Sequence, residues 1–101
     1  IRSLIYLVAP ILVMENIKYY RLEDTNVEYL GIDVGLDVLQ EAVGGYIESI
    51  RPTGNYKIVY CNEEGKIQGL EINVLASGLL KQVLVGPVIV GIDGDSEWMH
   101  S

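Results

Sequence analysis

A chain of 101 residues with a formal charge of −7, half of it hydrophobic and 21 % charged, has room for one ordered domain and not two. Its seven Lys and Arg are scattered along the sequence, so no clustered positive face awaits a phosphate backbone and direct nucleic-acid binding is disfavoured. One cysteine, Cys61, and one histidine, His100, exclude an internal disulfide, a zinc site and a hydrolase triad made within this chain.

Residues 1–13, "IRSLIYLVAPILV", are apolar apart from Arg2 and Ser3. The stretch is too short to span a bilayer as a helix, which needs about 20 residues, and no small-residue cleavage site follows it. Met14 then opens "MENIKYYRLED", which reads like a protein start. The expectation is an apolar N-terminal extension over 1–13, outside a single domain at 14–101. The alternative is a strand that covers a sheet edge or pairs two subunits.

Residues 17–22, "IKYYRL", alternate as a strand does. "EDTN" (23–26) signals a turn, and "VEYLGI" (27–32) returns as the second strand of a hairpin. Asp33 is placed to cap a helix over 34–43, where Val34, Val38, Leu39, Ala42 and Val43 recur at helical spacing. Gly44-Gly45 ends it. "YIESI" (46–50) and "YKIVYC" (56–61) alternate as paired strands about the turn "RPTGN". "NEEG" (62–65) turns the chain again, and "KIQGLEI" (66–72) leaves as a short or irregular strand that returns Ile67, Leu70 and Ile72 to the core. Asn73 is placed to cap a short helical segment at 74–80. The apolar "QVLVGPVIVGI" (82–92) is a strand, with a bulge or an edge position expected at Gly86-Pro87 because proline lacks an N–H. A polar tail follows, anchored by Trp98.

These elements predict an α+β domain: a small, mostly antiparallel sheet of about five strands, with one main helix (34–43) packed on it. Seven Tyr, one Trp and no Phe suit half-buried strand positions and contact surfaces.

Several clusters invite a chemical reading. "CNEEGK" (61–66) offers oxygen ligands at Asn62, Glu63 and Glu64, but a calcium loop needs alternating ligands and a later bidentate carboxylate. Adjacent glutamates in an extended chain point to opposite sides, so a solvated turn is the better reading. Asp93, Asp95 and Glu97 do alternate, yet no carboxylate follows to complete a site. Cys61 would need a nearby base to act as a nucleophile, and His100 sits one residue from the end. Gly44-Gly45 follows a helix, whereas a phosphate loop precedes one. A pair of carboxylates for acid–base work stays open. No cofactor is indicated.

Three motifs together carry a family resemblance: "LQEAVGGYIESI" (39–50), "YCNEEGKIQGLEIN" (60–73) and "VGPVIVGID" (85–93). In this order they resemble domain-of-unknown-function family 3846, over residues 17–101. The family usually sets basic residues after the Asn that here is Asn73, where this chain has Val74-Leu75. The resemblance supplies no activity. It implies a cytoplasmic protein of a phage, a plasmid or a bacterial host, with 1–13 outside the domain.

The sequence therefore predicts a non-enzymatic, cytoplasmic binding protein that acts on a protein partner through its sheet face or its 61–73 loop. The residues singled out for binding are Tyr46, Arg51, Lys57, Asn62, Glu63, Glu64, Lys66 and Asn73. The alternative is a small-ligand protein that binds a nucleotide signal, for which Arg51, Lys57 and Lys66 are the local cations. So apolar a short chain is also expected to form a homo-oligomer, a dimer in the simplest case.

Overall fold

The computed structural model describes residues 16–95. The stretch 1–13 and the tail bearing Glu97, Trp98 and His100 lie outside the described residues. β1 (Ile17–Glu23) and β2 (Asn26–Ile32) form the expected hairpin. Asp24, in its two-residue turn, sits at φ 55, the left-handed backbone that lets a tight turn match the twist of its strands. α1 (Leu36–Val43) follows, then β3 (Ile47–Ile50) and β4 (Ile58–Asn62) as a second antiparallel hairpin. α2 (Val74–Leu80) and β5 (Val88–Asp93) complete the domain.

The five strands form one sheet in the order β2-β1-β5-β4-β3, and every neighbouring pair is antiparallel. The architecture is α+β, with the sheet dominant. Successive strand residues point to opposite faces, and each face carries its own core. On one, Leu22, Val59, Val88 and Val90 pack with Ala76 and Leu80 of α2. On the other, Ile17, Tyr19, Ile58 and Ile89 pack with Leu39 and Val43 of α1. Burying each such aliphatic side chain contributes about 1.5–3 kcal/mol. The segment 74–80, expected only as a short helical piece, is thus a second packed helix, so each face of the sheet carries one helix.

β5 is the middle strand, hydrogen-bonded to β1 on one side and β4 on the other. The edge position expected from Pro87 is therefore wrong. Proline is accommodated because it precedes the ladder, which starts at Val88, and 82–87 is a connecting loop in which Gly86 takes φ 70. Within β5, a Cβ on Gly91 would lie 2.8 Å from Ile17 Cγ2 and 3.1 Å from Ile58 Cβ. Only glycine lets side chains of both flanking strands close over the middle of the sheet.

Two further expectations are corrected. Asp33 does not cap α1. Its backbone is left-handed at φ 49, and its carboxylate instead accepts from the Asn16 and Ile17 N–H groups at 2.9 and 2.8 Å. The helix starts two residues later than expected, from Gly35, without a side-chain cap. Residues 66–72 do not form a strand either. Gln68 N–H donates to Glu64 O and Leu70 N–H to Gly65 O, which are helical-type turns, and only Ile72 bridges to Val85. Ile67 and Ile72 remain exposed instead of returning to the core.

Candidate functional site

Asn62, at the end of β4, is buried to 5 % exposure. Its Nδ2 donates to Val43 O at 3.0 Å, and its Oδ1 accepts from Glu64 N–H at 2.8 Å. The amide thereby ties the C-terminus of α1 to the turn after β4. Gly44, at φ 78, donates to Gln40 O and Glu41 O and ends α1. A Cβ on Gly45 would stand 3.0 Å from Asn62 Nδ2, so the glycine pair serves the turn and the amide together.

Asn73 is buried to 4 % and fully engaged. Its Oδ1 accepts from Ala76 N–H at 3.0 Å, the expected N-cap of α2. Both Nδ2 hydrogens are used, toward Leu22 O and Gly86 O, each at 2.8 Å. A primary amide has two donors, so neither is left for a ligand. Asn62 and Asn73 hold the fold; their conspicuous spacing in the sequence reflects architecture.

The other candidates are exposed. Tyr46 O accepts from Glu63 N–H at 2.9 Å, which brings Tyr46, Glu63, Glu64 and Lys66 to one end of the β3–β4 hairpin. Arg51 and Lys57 border the turn at its other end. Lys57 and Glu63 flank the five residues of β4, which puts these ends roughly 20 Å apart at about 3.3 Å per residue. The three cations that a nucleotide phosphate would need thus do not share one turn.

Cys61 is buried within β4, on the α2 face. Burial, and secondarily the Glu48 carboxylate, push its thiol up, while Lys66 pulls it down. A raised thiol holds little thiolate near neutrality, so Cys61 packs as a small hydrophobe. Among the described residues, no three His, Cys, Asp or Glu side chains are grouped to hold a metal ion.

Beside these exposed charges the described surface also carries an apolar ridge. Ile72 bridges to Val85, and Asn73 N–H donates to Leu84 O at 2.8 Å. Val74 and Val83 therefore stand beside the same bond, and with Ile72 they are exposed by 76, 65 and 60 %. The sequence hides this ridge because its pattern places Ile72 and Val83 in strands and Val74 in a helix whose orientation it does not set. It also hides the role of Arg21, whose Nε donates to Ala42 O in the last turn of α1 at 2.7 Å. No sequence signal links residues 21 and 42.

Fold and surface together define a small α+β sheet protein whose sheet is flanked by a helix on each face and whose loop amides are structural. The chain belongs to the family described as domain of unknown function (DUF3846), whose model matches residues 9–100. The matched span begins inside the apolar stretch 1–13. No curated relative and no solved structure matches the chain.

Proposed function

We propose that this chain is a small, non-enzymatic binding protein that works in the cytoplasm by attaching to a protein partner. The observation that carries this reading is the contrast between Asn62 and Asn73, whose amides are spent on the fold, and the exposed ridge of Ile72, Val74 and Val83. Grouped exposed aliphatic side chains gain free energy when a partner covers them. No helix among the described residues is long and apolar enough to cross a membrane.

The test is capture by the tagged full chain from a lysate of its host, with Val74→Lys and the double variant Glu63→Gln/Glu64→Gln alongside. A stoichiometric partner lost with Val74→Lys and kept by the double variant supports the reading. Recovery of nothing, or equal recovery with Val74→Lys, overturns it. The same ridge is where we propose that two copies pair when no partner is present. Light scattering at micromolar concentration tests this, and a monomer contradicts it.

A further inference from the structure

The charge of this protein is concentrated in one segment. Between Leu22 and Ile50 the sequence carries seven carboxylates, from Glu23 to Glu48, and no Lys or Arg. The other seven carboxylates are balanced by all seven Lys and Arg, so the whole formal charge of −7 resides in 22–50. That segment contains β2, one of the two edge strands of the sheet.

β2 is open to pairing among the described residues. The two-residue turn makes Glu23 and Asn26 the first hydrogen-bonded pair of the hairpin. By alternation Glu28 bonds inward to Arg21, while Val27 and Tyr29 turn their N–H and C=O groups away from β1. Val27 and Tyr29 are themselves exposed. They share a face with Leu22 and Tyr20, their partners on β1, and the Tyr20 and Tyr29 rings already meet at a tilt, centroids 5.2 Å apart. Glu28 points to the opposite face, with its carboxylate 63 % exposed and 3.8 Å from Arg21. The edge carries no Lys or Pro to repel a strand. Beyond Tyr29 the register shifts, which confines regular pairing to 26–29.

We infer that this edge receives an extended basic segment of a partner protein as a sixth strand, with apolar side chains against Val27 and Tyr29 and Lys or Arg against Glu28. Charge complementarity selects the occupant. A second copy would bring one acidic segment against another, and pairing centred on Glu28 would set the two Glu28 carboxylates opposite each other, which is destabilising. Backbone bonds would supply attachment and the alternation of side chains specificity, as in strand addition generally. This inference rests on the reading of the chain as a protein-binding module and adds to the Ile72, Val74 and Val83 ridge a second contact site at the β2 edge.

The probe is a fluorescent seven-residue peptide alternating lysine and valine, titrated into the full chain. Two controls accompany it: one with glutamate for lysine, the other with a central proline. The lysine peptide should bind, weaken as salt rises, and shift and protect the Val27 and Tyr29 amides in NMR. Both controls should bind at least tenfold more weakly, and Glu28→Lys should reverse the preference between lysine and glutamate peptides. Absence of binding, equal binding of the proline peptide, or perturbation confined to amides outside 24–33 overturns the inference. If the peptide fails while a lysate partner is still lost with Val74→Lys, the binding reading stands and only the β2 site falls.

Discussion

The side chain of Asn73 donates to the backbone oxygen of Leu22 across 2.8 Å, joining residues 51 apart in sequence. The same amide caps α2 and holds Gly86 O. Asn73→Ala leaves two carbonyls without their donor and one helix without its cap, so a loss of about 2–4 kcal/mol is expected in chemical denaturation. Asn73→Asp keeps the acceptor for Ala76 N–H but, when ionised, offers no donor. It should destabilise comparably at neutral pH, which identifies the donors and not the cap as the larger contribution.

Arg21 supplies from the sheet the cation that the last turn of α1 lacks in its own sequence. Arg21→Met should cost about 1–2 kcal/mol through the bond to Ala42 O and the helix dipole. Its ion pair with Glu23, 2.6 Å long but partly exposed, contributes little. Glu23→Gln should cost less than about 1 kcal/mol, and 1 M salt should erase most of that.

Tyr19 is 7 % exposed, and its hydroxyl is pushed up to about 12 by burial first, then by Tyr60 and Asp33. An unfolded tyrosine ionises near 10. Tyr19 therefore contributes full stability below about pH 10, and this contribution falls as pH rises toward 12, by at most roughly 3 kcal/mol. Denaturation midpoints between pH 9 and 12 should drop accordingly. Tyr19→Phe should flatten the part of that drop due to this residue, while Tyr60 and Tyr56, also raised by burial, continue to contribute.

Lys81 ends α2 at φ 59, a backbone that a side chain disfavours. Lys81→Gly should raise stability by about 0.5–1 kcal/mol in thermal unfolding. Gly91→Ala should do the reverse. Its Cβ would meet Ile17 and Ile58 at distances that real contacts avoid, and overpacking of this kind costs about 1–3 kcal/mol.

The local part of this architecture was readable. Alternation located both hairpins, and the Asn73 cap followed from an Asn before an apolar run. What failed depended on distant partners. Asp33 looked like a helix cap because its sequence neighbours are helical, yet its carboxylate went to Asn16 and Ile17, the start of a strand 16 residues away. Pro87 suggested an edge because the sequence does not disclose that pairing begins one residue later. Reading 66–72 as a strand places Ile67 and Ile72 in the core, but Gly69 takes φ 74, the segment turns helically, and both stay exposed. Of the candidate site, the residue types were visible. That Asn62 and Asn73 are consumed internally became visible only with Val43 O, Leu22 O and Gly86 O in place.

The position of β5 sets a condition on biosynthesis. The two hairpins close over short distances in the chain, yet neither touches the other in the sheet until the last described strand enters between them. On the ribosome they can form early but not assemble, because the residues that join them, 88–93, emerge after both. Assembly must therefore wait until 88–93 has emerged, and each hairpin meanwhile exposes an edge that β5 later covers. A stop codon before Val88 would remove the joining strand and leave two hairpins with no sheet to share.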